Sequence, residues 1–198
     1  MPEPRRITLP APRTTGSVSL ETAIARRRSV RYFAPESLSL EQIGQLLWAA
    51  QGVTGRWAGE RTAPSAGACH PLIFYACTAD GVWRYHPEAH ALTRHLAQDV
   101  RPALAEAALN QRFVAEAGCT FVVSAVFERT TRRYGERGRS RYVPMDVGHA
   151  AQNLLLEAVA LGLASVPVGA FDDAAVARVL VLPSQEEPLY ILPVGHPA

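Results

Sequence analysis

The chain has 198 residues, of which 48% are hydrophobic and 19% are charged, and its formal net charge at pH 7 is +2. This length suits one domain with a sizeable core, or one subunit of an intertwined dimer. The small net charge argues against a nucleic-acid-binding protein, and no apolar run is long enough to cross a membrane. All 20 basic residues are arginines, so no lysine is present to act as a base or to form a Schiff base.

The cysteines and histidines show no metal-binding or disulfide pattern. The three cysteines, Cys69, Cys77 and Cys119, are an odd number and contain no CxxC pair. The six histidines contain no HExxH motif. We therefore expect no metal site. Residues 1–16 lack the apolar segment of a signal peptide, and we expect a cytoplasmic protein.

In chain order, the first predicted elements are an arm and two helices. Several prolines predict an extended arm over residues 1–16, followed by a single domain over residues 17–198. Ser19 is predicted to cap a helix that runs to about Arg28. The second helix has the strongest signals, namely a capping box at Ser39 and Gln42, an apolar stripe at i, i+3, i+4 and i+7, and a stop at Gly52.

The rest of the chain mixes strand and helix patterns. Strands are predicted over residues 72–78, 82–85, 120–127, 165–169 and 189–194. Helical stretches are predicted from Asp99 to Ala117 with a break, from Asp146 to Leu161, and from Asp172 or Asp173 to Leu180. The polar residues 128–142 are predicted as a long connection. Because the elements do not alternate as βαβ units, we expect an α+β fold rather than a doubly wound sheet.

Clustered guanidinium groups follow the first predicted helix. Arg27, Arg28 and Arg31, with the Ser29 hydroxyl among them, suit an anionic phosphate, because guanidinium groups match phosphate oxygens in a bidentate manner. The alternative is a solvated helix end, where cations offset the helix dipole. Spacing alone favours this simpler alternative.

Two further segments place small residues at predicted turns. The first could let backbone amides approach a flat ligand, although an ordinary turn explains it equally well; it consists of Pro64, Ser65, Ala66 and Gly67. The second follows a predicted strand and could offer main-chain N–H groups to a ring, although a core strand ending in a turn is the simpler reading; it consists of Pro167, Val168, Gly169 and Ala170.

Taken together and in this order, these segments resemble the FMN site of nitroreductase-like flavoproteins. The resemblance also includes residues 146–154, residues 168–173 and the closing residues 193–197. The stretch Tyr134–Gly138 and the following Arg141–Tyr142 pair resemble in particular the SagB/ThcOx-type dehydrogenase branch.

The resemblance implies a nitroreductase-like α+β fold, with a central, mostly antiparallel sheet flanked by helices, in an intertwined homodimer with FMN at the subunit interface. By similarity, the residues that contact the phosphate, the ribityl chain and the N1/O2 edge are Arg27, Arg28, Ser29 and Arg31. The partner subunit would contribute Pro64, Ser65, Ala66 and Gly67. Gln152 would lie near the ring or ribityl chain, and the N5/O4 side would face Pro167, Val168, Gly169 and Ala170.

The implied activity is that of an FMN-dependent oxidoreductase with a ping-pong mechanism, driven by NAD(P)H and reducing nitroaromatic, quinone or similar acceptors. A fixed cation such as Arg31 would favour hydride acceptance at N5, because reduced flavin carries negative charge near N1. One alternative is a SagB-type dehydrogenase that oxidises an azoline or related substrate. Another is a low-turnover flavin-binding partner in a biosynthetic complex. Without lysine, the Lys–Tyr pair of some azoline oxidases cannot exist, which leaves Tyr134, Tyr142 or His149 as candidates for proton transfer.

Overall fold

The computed structural model of the protein describes residues 5–55 and 59–198. The predictions for residues 1–4 of the arm and 56–58 of the loop lie outside the described residues. The strands are β1 Arg6–Thr8, β2 Leu72–Thr78, β3 Gly81–His86, β4 Ala91–Leu96, β5 Cys119–Ala125, β6 Ala164–Ser165 and β7 Glu187–Gly195. The helices are α1 Leu20–Arg26, α2 Leu40–Gln51, α3 Arg101–Ala107, α4 Phe113–Glu116, α5 Glu128–Tyr134, α6 Val143–Ala160 and α7 Asp173–Val179.

Within these residues the strands form one seven-stranded sheet in the order β1-β4-β3-β2-β5-β7-β6. All neighbouring strands pair in antiparallel fashion. The helices cover both faces of the sheet. The predicted α+β fold with an antiparallel sheet is therefore confirmed.

The central strand β5 is buried on both faces. It pairs with β2 on one edge and β7 on the other, and all its residues are buried. Phe121 and Val123 face the larger core, which includes side chains of α2 and α6, while Val122 faces the core formed with α3 and α7. Because side chains alternate along a strand, such a position requires apolar residues at nearly every step. Burial on both faces of the sheet therefore explains the continuous apolar run from which this strand was predicted.

The helix ends follow the predicted capping. Ser39 and Gln42 form the capping box of α2, and the Gly52 N–H donates to the Trp48 carbonyl (2.7 Å) at the other end. The Ser19 side chain accepts a hydrogen bond from the Thr22 N–H (3.2 Å) and begins α1. This helix ends at Arg26, two residues earlier than predicted, because the chain turns there to join the sheet edge.

The predicted connection over residues 128–142 is wrong. It forms α5 and a π-helical turn, Gly138–Tyr142, that runs directly into α6. Arginine and glutamate are good helix formers, but this segment has no repeating apolar stripe that could reveal a helix. The prediction that Asp146 caps α6 is wrong for the same reason. The helix begins at Val143, and Asp146 lies in its first turn with its side chain buried.

The predicted break between Asp99 and Ala117 is present, whereas one helix cap and one strand differ from the predictions. The stretch from Asp99 to Ala117 forms α3 and α4, separated by Leu109 and Asn110 with positive φ angles of 57° and 61°. Asp99 precedes the helix cap, and its carboxylate accepts from the Arg101 backbone N–H (3.0 Å) and pairs with the Arg101 guanidinium (2.7 Å). The strand predicted over residues 165–169 pairs regularly only in β6, because Pro167 has no N–H to continue the ladder.

Two strands were not predicted. β1 comes from the N-terminal segment and pairs with β4, in a register that places Arg6 opposite Thr93. β4 itself follows a tight turn in which His90 has a positive φ of 42°. Both strands are short and only partly buried, so neither carries the apolar pattern of the central strands.

A buried carboxylate connects the middle of the sheet to the chain before β7. Glu186 is only 4% exposed, and it accepts hydrogen bonds from the Tyr75 hydroxyl (2.9 Å) and the Ser124 hydroxyl (2.8 Å). It also pairs with Arg84 (3.3 Å). Burial, together with the nearby Glu186 charge, raises the pKa of Tyr75 far above its ordinary value, so its hydroxyl remains a donor. This network ties β2, β3 and β5 to the start of β7.

We expect Glu186→Gln to lower the free energy of unfolding by about 2–4 kcal/mol, because it leaves a partly buried guanidinium without its counter-charge. The matched control is Glu187→Gln at the next residue, whose exposed pair with Arg139 (2.7 Å) should contribute less than about 1 kcal/mol. Urea unfolding of both variants and the unmodified protein measures the difference. Equal losses would contradict a structural role for the buried carboxylate.

Candidate functional site

The arginine segment that follows α1 is fixed to the edge of the sheet. Ser29 forms a parallel bridge with Ser165 of β6, and the Val30 N–H donates to the Ser165 carbonyl (3.0 Å). The chain leaving β6 continues directly into residues 167–170. The structure therefore brings together, within one chain, two of the three segments that the sequence singled out.

The arginines of this segment differ in their surroundings. Arg28 turns back, and its Nη1 donates to the carbonyl oxygens of Ala25 (3.0 Å) and Arg27 (2.7 Å), so it caps the end of α1. The guanidinium of Arg31, an exposed residue, lies 5.7 Å from the centre of the Phe113 ring. In the part of the chain that the structure describes, no carboxylate pairs with Arg27 or Arg31. These two cations are the ones best suited to a ligand anion.

Residues 167–170 form a turn that is held at both ends. The Val168 N–H donates to the Ile191 carbonyl (2.8 Å), and the Ile191 N–H donates back to the Val168 carbonyl (3.1 Å). The Ala170 carbonyl accepts from the Gln111 side-chain amide (2.9 Å). Between these anchors, Gly169 and Ala170 are exposed, whereas Val168 is buried and Pro167 is half-buried. The turn thus presents a rigid, exposed main-chain surface.

The third segment, Pro64–Gly67, lies at the N-terminal end of α6. The Ser65 hydroxyl donates to Asp146 Oδ2 (2.6 Å) and accepts from the His70 N–H (3.0 Å), while the Ala66 N–H donates to Asp146 Oδ1 (3.4 Å). Burial raises the pKa of Asp146, and the hydrogen bond from Ser65 opposes this effect. Through its hydrogen bonds with Ser65 and Ala66, the Asp146 carboxylate positions the turn.

Gly67 suits the conformation at the tip of this turn. Its φ is +58°, and a Cβ built there would lie 2.6 Å from the Tyr134 hydroxyl oxygen and 3.0 Å from Arg133 Nη1. Any other residue would therefore be strained, and the ends of the Tyr134 and Arg133 side chains would have to move. Of the three residues considered for proton transfer, Tyr134 lies beside this turn, Tyr142 accepts from Arg137 Nε (2.9 Å), and His149 is exposed on α6.

Helix α6 separates this turn from the other two segments. Asp146 holds the turn at the first turn of the helix, whereas the arginine segment pairs with β6, which follows the helix C-terminus. Gln152 is exposed between them on α6. The structure does not bring the Pro64–Gly67 turn into the same corner of the molecule as the arginine segment of its own chain.

Sequence reasoning missed the role of Asp146. The residue shares the buried stripe of α6 with Val143, Val147, Ala150 and Leu154. An acidic residue on an otherwise apolar stripe needs a buried donor, and this pattern could have indicated a positioning role. Gln111, which holds Ala170, lies in a tight connection between α3 and α4 and carries no comparable signal.

Residues 5–55 and 59–198 contain no group of three or more histidine, cysteine, aspartate or glutamate side chains placed to hold a metal ion. Among the helices in those ranges, none combines the length and apolar character needed to span a membrane.

Comparison with known proteins identifies the family. The family model described as "Nitroreductase family" matches residues 24–196. A Methanocaldococcus jannaschii protein named as a nitroreductase is 45% identical over 185 residues, which cover 90% of this chain and 91% of that protein. A crystal structure of a Ralstonia eutropha JMP134 protein, also named as a nitroreductase, has a TM-score of 0.88 and 31% identity, covering 100% of this chain and 95% of the other.

A further relative is the trifolitoxin-processing protein TfxB of Rhizobium leguminosarum bv. trifolii, which is 32% identical over 165 residues. This match covers 75% of the chain but 44% of TfxB, so the chain spans less than half of that protein. The family match contains the arginine segment, the Pro64–Gly67 turn, α6 and the turn after β6. The chain therefore belongs to the nitroreductase family of oxidoreductases.

Proposed function

We propose that this protein is an FMN-dependent homodimeric oxidoreductase that uses NAD(P)H to reduce nitroaromatic, quinone or similar small-molecule acceptors. The observation that carries the proposal is the pairing of the arginine segment with Ser165. This pairing holds cationic side chains next to an exposed, rigid main-chain turn. A phosphate at one end and a planar ring at the other are the features that such a surface complements.

The arginine segment is suited to the phosphate end of FMN. Arg27 and Arg31 have no carboxylate partner in the described residues, and arginine keeps its charge when partly buried. In the proposal, Arg27, Arg28 and Ser29 bind the phosphate and ribityl chain. Arg31 stabilises the negative charge that develops at the N1/O2 edge of the ring.

The turn after β6 is suited to the other edge of the ring. Val168 is locked to β7 by two backbone hydrogen bonds, so Gly169 and Ala170 can orient the N5/O4 side with little motion. Gln152, exposed on α6, would lie near the ring or ribityl chain. When bound, FMN supplies the hydride chemistry at N5. A donor and an acceptor that use one ring face in turn would give ping-pong kinetics.

The exposed surface of α6 and α1 supports a homodimer. On α6 the exposed residues Met145, Gly148, His149 and Gln152 lie along one stripe. On α1, Leu20 and Ile24 are 62% and 56% exposed, and Leu20 lines a groove of about 390 Å³ between α1, α2 and α6. Exposed apolar surface of this kind favours contact with a second subunit. Such a dimer would supply the partner's Pro64–Gly67 turn to the arginine segment.

A second candidate function is a SagB-type dehydrogenase acting on an azoline or related substrate, or a low-turnover flavin-binding partner of a biosynthetic complex. Two observations favour it. The chain is similar to TfxB, a protein named for trifolitoxin processing. The Tyr134 hydroxyl lies beside Gly67, where a phenol could serve proton transfer near the ring supplied across the dimer.

Anaerobic titration with NADPH and then NADH, followed by flavin absorbance, tests the proposed activity. We expect either nucleotide to bleach the flavin, because hydride transfer reduces the ring. A yellow protein that neither nucleotide reduces would favour the second candidate function. A colourless protein that cannot be loaded with FMN would overturn the flavoprotein proposal.

Arg31→Ala and Arg27→Ala test the cofactor residues. Each should weaken FMN binding by about tenfold or more, because charge-assisted hydrogen bonds contribute about 1.5–3 kcal/mol. Flavin stoichiometry after gel filtration and fluorescence titration measure the loss. The matched control is Arg26→Ala, which removes an exposed arginine from the last turn of α1. Unchanged FMN retention in either test variant would remove that residue from the proposed site.

Gly148→Glu tests the dimer. No atom lies within 4 Å of a Cβ built at this position, so a single chain would accept the side chain freely. A partner subunit packed on α6 would not, and we expect the variant to become monomeric and to lose FMN. Analytical ultracentrifugation with flavin absorbance detects both effects, and Gly148→Ala is the conservative control. A variant that stays dimeric, or an unmodified protein that is monomeric, would contradict this interface.

A further inference from the structure

Strands β2 and β3 separate at one end and leave a fork in the sheet. Their ladder ends at the pair Tyr75–Arg84, although β2 begins at Leu72 and β3 continues to His86. A cavity of about 180 Å³, which we call the fork cavity, lies between the separated ends. It is distant from the arginine segment after α1, because β2 is three strands away from β6, a distance of about 14 Å across the sheet.

Three arginines line the fork cavity. They are Arg61, Arg84 and Arg129, which come from three different parts of the chain. The Arg61 side chain is only 10% exposed and donates to the buried Gln51 amide oxygen (3.0 Å). A cation held in this way is built into the structure and is not a solvated surface group.

The three arginines differ in their acidic partners. Arg61 pairs with Glu88, whose side chain is 70% exposed, and Arg84 pairs with Glu186 (3.3 Å). Arg129 donates to the His70 carbonyl (2.9 Å), and no carboxylate of residues 5–55 or 59–198 pairs with it. Its charge is therefore the one among the three that no carboxylate of the described residues matches.

Two histidines near the cavity have lowered pKa values. Burial is the main cause that lowers the pKa of His70, and the charge of Arg61 lowers it further. Burial likewise lowers the pKa of His86, followed by the charges of Arg84 and Arg6. Both rings are therefore neutral near pH 7, and the arginines provide the cationic charge.

We propose that the fork cavity binds a tetrahedral oxyanion, phosphate or sulfate, through Arg61, Arg84 and Arg129. Guanidinium groups recognise such oxygens in a bidentate manner, and a bound anion would match the charge of Arg129. The volume suits a small anion with its water, whereas pockets for larger organic ligands measure about 300–1,000 Å³. The anion is either a free ion or the terminal phosphate of a larger molecule.

Isothermal titration calorimetry of the FMN-loaded protein in Tris chloride buffer tests this site. Saturating FMN occupies any flavin phosphate site, so added sodium phosphate reports on the fork cavity. We expect saturable binding of phosphate, weakened about tenfold by Arg129→Gln, because that variant loses a charge-assisted contact. Because Arg129 is exposed, we expect the variant to fold normally, and the midpoint of thermal unfolding checks this.

The matched control is Arg132→Gln on the same helix, which removes an arginine with a 76% exposed side chain and should leave phosphate binding unchanged. Ribose 5-phosphate distinguishes the two sources: binding of both probes indicates a terminal phosphate, and binding of phosphate alone indicates a free ion. Absence of phosphate binding, or an equal loss in both variants, would overturn the proposal. If FMN cannot be loaded, the same titration on the purified protein still tests phosphate binding in the fork cavity, independently of the proposed function.

Discussion

The burial of β5 on both faces is the constraint on which the other elements depend. Because β5 pairs with β2 and β7 and packs against a core on each face, α2 and α6 are confined to one side and α3 and α7 to the other. On one side of it, β7 carries β6 and thereby the arginine segment at the sheet edge. On the other side, β2 leads to the fork with β3. Both candidate sites lie where regular pairing stops.

Helix α6 sets the second constraint, because it carries one part of the proposed cofactor site near each end. Asp146 fixes the Pro64–Gly67 turn at the helix start, and the arginine segment is fixed beyond the helix end through Ser165. One chain therefore holds two halves that do not face each other. A second copy related by a two-fold axis perpendicular to α6, passing through its exposed stripe, would pack the two helices antiparallel and bring unlike halves together twice. The proposed dimer and the proposed cofactor site thus depend on the same surface.

Local signals explain what the sequence predicted well. The capping box at Ser39 and the uninterrupted apolar run of β5 each depend on residues that are neighbours in the sequence. The structure therefore agrees closely with the helix and the strand that they predicted. Helix α5 and the π-helical turn were missed because their residues are polar and contact few apolar neighbours in a repeating pattern. The geometry of the candidate site was harder to predict from the sequence, because the hydrogen bonds from Val30 to Ser165 and from Ser65 to Asp146 join residues that are far apart in the chain. The resemblance named these segments, and long-range pairing determines which of them meet.

The exclusive use of arginine as the cation has a consequence for both sites. A lysine enclosed among like charges can lose its proton and become neutral, whereas arginine stays charged under all ordinary conditions. A guanidinium group that is removed from water is therefore best matched by a carboxylate, as the largely buried Arg101 side chain is by Asp99, or by a bound anion. Among the described residues, no carboxylate pairs with Arg27 and Arg31 at the sheet edge or with Arg129 at the fork. The same electrostatic requirement thus supports a phosphate group at the sheet edge and a separate oxyanion in the fork.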